Sequence, residues 1–168
     1  MAALSQMTEY SSRFAVRRIS TSVVGTLDLV AHDTALVAIH WQDTLQRADN
    51  APESHSILNL AEEQIQAFLD GRLKHFSVPI APQGTPFQKE VWATLLTIPF
   101  GKTSSYRDIS LRISRPSATR AVGGAIGKNP LPILIPCHRV VGRDGKLRGF
   151  SGGLDRKRAL LLREGLGV

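Results

Sequence analysis

Between residues 75 and 84 the hydrophobic period of the chain changes, and that change limits the folds open to it. On the N-terminal side, Phe14-Ala15-Val16, Leu27-Asp28-Leu29-Val30 and Leu36-Val37-Ala38-Ile39-His40-Trp41 are short strand-like runs, with turns supplied by Gly25 and His32-Asp33-Thr34. They predict a small antiparallel sheet. Ile57, Leu58, Ala61, Ile65 and Phe68 then recur at helical spacing up to a stop at Gly71, so a helix over 57–69 is expected to cover that sheet. Residues 1–12 read as a polar terminus and 43–54, with Pro52, as a connection. Pro79, Pro82 and Gly84 mark residues 75–84 as a linker between two lobes.

Beyond the linker the pattern is helical. Thr85-Pro86-Phe87-Gln88 is a capping box with proline at the first helical position, and it starts a helix to about Leu96. Phe87, Val91 and Leu95 face one core there, and Trp92 is expected in the core as well, with a base-stacking platform as the alternative. Pro99-Phe100-Gly101 breaks the helix. Ser105-Tyr106-Arg107-Asp108 offers a second capping box for a helix to about Ile113, and Ser117 is the expected cap of a third, running to about Lys128. Two short helices joined by a tight turn, the second carrying Arg120, fit a helix-turn-helix. Gly123-Gly124 inside the third helix costs ~1 kcal/mol per glycine relative to alanine, and close backbone approach to another helix is the expected compensation, with close approach to nucleic acid as the alternative. After a hairpin-type turn at residues 142–145 and a glycine-rich loop at 147–153, Asp155 is the expected cap of a last helix, 156–164, ended by Gly165. The expectation is a mixed α/β (α+β) protein. A scaffold lobe, residues 1–80, would hold the antiparallel sheet and its covering helix, and a mainly helical lobe, residues 81–168, would hold the helix-turn-helix and the cysteine.

Charge separates the halves too. Residues 1–84 carry six Lys/Arg against nine Asp/Glu, a balance of −3, whereas residues 85–168 carry fifteen against five, a balance of +10. The second half has the charge of a polyanion binder. No apolar run approaches the ~18 residues that span a bilayer, and no charged, then apolar, leader opens the chain, so a cytoplasmic or nucleoid location is expected and no membrane partner.

Residues 129–140 bring in the only cysteine of 168 residues. The run reads as an apolar strand bracketed by Pro130, Pro132 and Pro136, and it ends in Cys137-His138-Arg139. Adjacent cationic and imidazole groups lower a thiol from its usual ~8.5, so an activated sulfur is expected, with a buried, inert cysteine as the alternative. A single cysteine forms no intrachain disulfide. His32, His40, His55 and His75 lack metal-ligand spacing, so neither metal nor cofactor is expected. Glu164, in a last helical turn where the dipole disfavours an acid by ~0.3–1 kcal/mol, suggests a specific partner; an exposed carboxylate offset by Arg163 or Lys157 is the alternative.

Pro136-Cys137-His138-Arg139-Val140 resembles the signature of the O6-alkylguanine-DNA alkyltransferases. The likeness runs from Phe14 to Gly165 through Phe87–Trp92, Ile98-Pro99-Phe100-Gly101, Ser105-Tyr106, Pro116 with Arg120-Ala121-Val122-Gly123, Asn129-Pro130, Ser151-Gly152-Gly153 and 160–165. The resemblance implies DNA repair by irreversible, once-only transfer of an alkyl group from O6-alkylguanine, with O4-alkylthymine as a further substrate, in double-stranded DNA. It implies that Cys137 accepts the alkyl group, that His138 takes its proton through water, that Glu164 orients the imidazole, and that Asn129 braces the surrounding turns. It also implies that Tyr106 and the Ser151 backbone N–H donate to the base, that the carbonyls of Cys137 and Val140 accept from it, and that Phe150 forms a wall of its pocket. Arg120 would replace the flipped base while the helix-turn-helix sits in the minor groove, and Arg107, Arg115 and Arg143 are candidate phosphate contacts. The protein would act as a monomer without an obligatory protein partner. Phe150, where relatives commonly have tyrosine, and Ser110, where they have alanine, depart from the pattern. Two other readings are a lesion-binding protein that transfers nothing and a Cys-His acyl hydrolase that turns over.

Overall fold

A computed structural model describes residues 14–41 and 51–167. The polar terminus expected over 1–12, and residues 43–50 of the expected connection, lie outside the described residues. The chain divides into two units, Met1–Pro82 and Gln83–Val168.

In the first unit β1 (Ala15–Thr21), β2 (Gly25–His32) and β3 (Ala35–Trp41) form an antiparallel sheet in the order β1-β2-β3. Gly25, at φ 80°, supplies the left-handed residue of the first turn, and Thr21 Oγ1 closes that turn by donating to the Gly25 carbonyl at 2.8 Å. Within the sheet Arg18 grips the buried Asp28 carboxylate with two bonds of 2.7 and 2.9 Å. Helix α1 (Ser56–Leu69) lays Ile57, Leu58, Ala61, Ile65, Phe68 and Leu69 against the sheet. Burial of each large apolar side chain contributes ~1.5–3 kcal/mol, which exceeds what isolated helix propensity supplies and makes this face the reason the helix persists. Part of the expected linker belongs to this unit: Leu36 N–H donates to the Pro79 carbonyl and Ala81 N–H to the Leu36 carbonyl, both at 2.9 Å. Prolines at 79 and 82 leave the one donor that this pairing needs, on Ala81, intact.

The second unit starts with the anticipated capping box. Thr85 Oγ1 accepts from Gln88 N–H at 3.2 Å and Gln88 Oε1 accepts from Thr85 N–H at 2.9 Å, opening α2 (Pro86–Leu95). Val91, Trp92 and Leu95 are buried, while Phe87 is half-buried under the Arg115 guanidinium. The indole of Trp92 donates to the Ala125 carbonyl at 2.9 Å, so this tryptophan is a core residue joining two helices. A two-residue strand, β4 (Ser104–Ser105), leads into α3 (Tyr106–Arg112), whose capping box with Asp108 also forms. Ser114, at φ 57°, turns the chain toward α4 (Thr119–Gly127), and α2, α3 and α4 pack on one another. A 3-10 turn (Cys137–Arg139) runs into β5 (Val140–Val141), and α5 (Leu154–Arg163) completes the unit.

Five local expectations are corrected. Residues 131–136 form turns and not a strand, because Pro132 and Pro136 remove ladder donors and Ile133 adopts φ 78°, a left-handed conformation costly for a β-branched residue. Ala118, not Ser117, precedes α4, and no side chain caps it. Gly153, at φ 86°, occupies the cap position of α5, which places Asp155 inside the first turn, where the helix dipole favours it. The turn at 142–145 closes on Lys146 and joins no hairpin, since β5 pairs in parallel with β4. The glycine pair does not serve tight helix packing: a Cβ on Gly123 would meet the Tyr106 ring at an ordinary 3.7 Å, and one on exposed Gly124 would meet nothing.

Candidate active site

The segment before the cysteine is built around Asn129. Its buried amide donates to the Ile135 carbonyl at 2.9 Å and accepts from Leu131 N–H at 3.0 Å, so one side chain replaces the ladder that the prolines forbid. Cys137 N–H donates to the Ile135 carbonyl at 2.7 Å, and the chain coils once through His138 and Arg139. β5 then pairs with β4, Ser104 opposite Val140, which ties the start of α3 and its Tyr106 to the cysteine turn.

The thiol differs from the expectation. Cys137 is buried, and burial pushes its pKa up to about 11, against smaller lowering contributions from Asn129 and Lys157. The sulfur therefore rests as a thiol at neutral pH, because desolvation outweighs the adjacent cations. Removal of its proton requires a base.

His138, fully buried, supplies one. Its Nε2 lies 2.8 Å from Glu164 Oε1. Burial lowers the imidazole below its ordinary value despite the carboxylate beside it, with Arg139 and Lys157 lowering it further, so the ring is neutral at pH 7. Burial alone would raise Glu164. The hydrogen bonds that it accepts from His138, Arg139 and the Gly101 N–H together hold it below its ordinary value, so it is ionised. An ionised carboxylate accepts, hence Nε2–H donates and Nδ1 is left as the basic nitrogen.

Glu164 does more than meet the histidine. Arg139 Nε donates to both its oxygens at 3.0 Å, Arg139 Nη1 donates to the Ile98 carbonyl at 2.6 Å, and Gly101 N–H donates to Oε2 at 2.9 Å. Gly101 has φ 71°, and a Cβ there would lie 3.3 Å from the Glu164 carbonyl, so conformation and space both call for glycine. The alternative offset by Lys157 or Arg163 does not occur. Lys157, fully buried, donates instead to the carbonyls of Val140 and Arg148, each at 2.6 Å, and of Gly149 at 3.4 Å.

The structure thus gathers Cys137, His138, Glu164 and Asn129. Tyr106 joins them: its hydroxyl donates to the Arg148 carbonyl at 3.4 Å, and burial, then the Cys137 charge, raise its pKa. Val140 is buried at the same turn, half-buried Phe150 and exposed Ser151 lie in the following loop, and buried Ser110 donates to the Arg107 carbonyl at 2.7 Å. Arg120 is exposed on α4, Arg107 on α3 and Arg143 in the turn. Arg115 stands apart: it pairs with Glu90 at 3.1 Å and lies over Phe87. Sequence reasoning missed the roles of Arg139 as a clamp on Glu164, of Lys157 as a buried donor to backbone carbonyls, and of the Gly101 amide. The α5 periodicity carried the signal for Lys157, since 157, 160, 161 and 164 fall on one helical face. Among the described residues, no group of three His, Cys, Asp or Glu side chains could hold a metal, and no helix is long and apolar enough to cross a membrane.

Residues 86–166 match the family described as 6-O-methylguanine DNA methyltransferase, DNA binding domain. A methylated-DNA–protein-cysteine methyltransferase of Methanosarcina acetivorans is 40% identical over 150 residues, covering 88% of this chain and 96% of the relative. One of the same name from Mycobacterium tuberculosis is 42% identical over 147 residues, covering 86% and 88%. Among solved structures, Mycobacterium tuberculosis OGT in complex with DNA superposes with TM-score 0.81 at 42% identity, covering 89% of this chain and 91% of that one. The O6-methylguanine-DNA methyltransferase of Pyrococcus kodakaraensis superposes with TM-score 0.56 at 25% identity, covering 91% and 99%.

Proposed function

Because this chain belongs to the O6-methylguanine DNA methyltransferase family, we propose that it repairs duplex DNA by moving the alkyl group of O6-alkylguanine irreversibly onto Cys137. The observation that carries this reading is the buried relay in which a neutral imidazole next to the cysteine donates to an ionised, doubly anchored Glu164.

The chemistry balances as an in-line displacement. The Cys137 thiol gives its proton to His138 Nδ1 through a water. The sulfur lone pair forms a bond to the alkyl carbon as the carbon–oxygen bond breaks, and that electron pair leaves on guanine O6. Protonation of the departing base restores guanine and a neutral imidazole. The imidazolium formed in between is stabilised by Glu164, as in other base-and-orienter pairs. Charge developing on the base is met by the Tyr106 hydroxyl and the Ser151 N–H, the electrostatic stabilisation on which poor leaving groups depend. The Cys137 and Val140 carbonyls accept from the exocyclic amine and Phe150 walls the pocket. With one cysteine in the chain, no second thiol removes the thioether, and each molecule acts once.

In this reading residues 81–168 bind DNA and carry the chemistry, and residues 1–80 are a scaffold. Exposed Arg120 on α4 fills the gap left by the flipped nucleotide in the minor groove, while Arg107 and Arg143 contact phosphates and Arg115 does so at the expense of its pair with Glu90. The protein acts as a cytoplasmic, nucleoid-associated monomer. Intact-mass spectrometry after mixing with a stoichiometric duplex containing one O6-methylguanine tests the proposal. One methyl group should appear on Cys137, with no further turnover when duplex is added; Cys137→Ser should gain none yet bind the duplex within about twofold of wild type. An unmodified wild-type protein, or a methylated serine variant, refutes it.

A further inference from the structure

Helix α5 turns two charged side chains inward, Lys157 near its start and Glu164 at its end, with Leu160 and Leu161 between them on the buried face. Their surroundings differ in kind. Glu164 meets Arg139, and the two charges cancel. Lys157 meets only backbone: its three N–H bonds go to the carbonyls of Val140, Arg148 and Gly149, and no carboxylate pairs with it among the described residues. An ammonium taken out of water without an anion carries a desolvation penalty, and partial carbonyl charges recover only part of it.

The position of the ammonium gives that cost a use. Val140, whose carbonyl holds Lys157, donates its own N–H to the Cys137 carbonyl, so the ammonium sits against the end of the turn that carries the sulfur. His138 is neutral and the Arg139–Glu164 pair is compensated, which leaves one uncancelled positive charge beside a neutral thiol. We propose that Lys157 is a positioning residue for alkyl transfer, a fixed and uncompensated cation whose missing counter-charge is the Cys137 thiolate as it forms. The inference rests on Cys137 being the alkyl acceptor. The coupling runs in both directions: Lys157 favours the thiolate, and the thiolate favours a protonated Lys157. The other titratable or charged groups about the sulfur are His138 and Arg139 on its own turn, Tyr106 at the start of α3, and Glu164 on α5. The same ammonium also joins Val140 to the Arg148-Gly149 segment, and a staple alone would explain those bonds without any effect on ionisation.

Lys157→Gln separates the two roles, because the amide still donates to two carbonyls but carries no charge. Thiolate absorbance in the far ultraviolet would be titrated in wild type and Lys157→Gln, with Cys137→Ser as the blank for tyrosinate. Transfer from a free O6-substituted guanine base would be timed by intact mass. In the folded variant the Cys137 midpoint should rise by about one pH unit, with ~10-fold less thiolate and ~10-fold slower transfer at a given pH. A folded Lys157→Gln whose cysteine titrates as in wild type overturns the proposal. Wild type supplies a second reading that needs no variant. Burial lowers Lys157 to about 8 and the proton goes to an already neutral His138, so the transfer rate should be level up to about pH 8 and fall by up to ~10-fold above it, as the ammonium is lost. A rate that stays level between about pH 8 and pH 10, with the ammonium gone, overturns it equally. Wild type that takes no alkyl group from the free base defeats the assignment of Cys137 and not that of Lys157.

Discussion

Replacing Glu164 by glutamine tests the relay most directly, because the change is isosteric and touches every member. The carboxylate is fully buried and accepts from His138 Nε2 at 2.8 Å, from Arg139 at 3.0 Å and from Gly101 N–H at 2.9 Å. Glutamine offers one oxygen for three donors, and its amide must point N–H at one of them. Arg139 then loses its counter-charge while buried, and breaking one side of a buried pair costs ~3–5 kcal/mol. At roughly 2–4 °C per kcal/mol for a chain of this size, the melting temperature should fall by roughly 10 °C. Function should suffer separately. If the amide N–H faces Nε2, the ring proton moves to Nδ1 and the basic nitrogen is lost, so transfer from a free O6-substituted guanine base should slow by ~10²–10⁴-fold. The acid dependence has a definite sign. Glu164 is held below its ordinary value in the folded protein, so its contribution to stability is present above the unfolded value near ~4.3 and is lost as pH falls through the folded value. The loss in melting temperature caused by Glu164→Gln should therefore be full at pH 7 and shrink as the protein is acidified. Melting followed by circular dichroism, with single-turnover transfer timed by mass, reads both quantities. A variant that melts within 2 °C of wild type and transfers within about threefold would refute the reasoning.

Two further outcomes are expected. Arg120→Ala should slow repair of an O6-methylguanine duplex by ~10-fold or more while leaving transfer from the free base within about twofold, since only the duplex requires a nucleotide to be extruded at a cost of a few kcal/mol; equal losses on both substrates would remove the flipping role. Asn129→Ala strands the Leu131 N–H and the Ile135 carbonyl in a buried turn at ~1–3 kcal/mol each, so the melting temperature should drop by roughly 5–10 °C, and an unchanged melt would show that the turn stands without its brace.

Elements with a strong local signature were legible in the sequence. Both capping boxes, the three antiparallel strands, the apolar face of α1 and the core role of Trp92 follow from residue type and spacing, because each is decided within a few residues. Where local signals compete, the sequence misled. The run 131–136 is apolar enough for a strand, but its prolines and the left-handed Ile133 require turns that a distant amide must hold. Ser117 and Asp155 are good capping residues beside caps that form without them.

The same division holds at the site. Sequence by itself determined which residue types are present: a lone cysteine followed by histidine and arginine, and an acid at an unfavourable helix end that needed a partner. Only the tertiary structure decided their charges. Burial is a property of the folded whole, and it makes the cysteine a thiol and the histidine neutral although adjacent cations argued for a thiolate. It also makes Glu164 the meeting point of His138, Arg139 and the Gly101 amide, groups 25 to 63 residues away along the chain. Desolvation grows with every neighbour that excludes water, and no local pattern reports how many neighbours a side chain acquires.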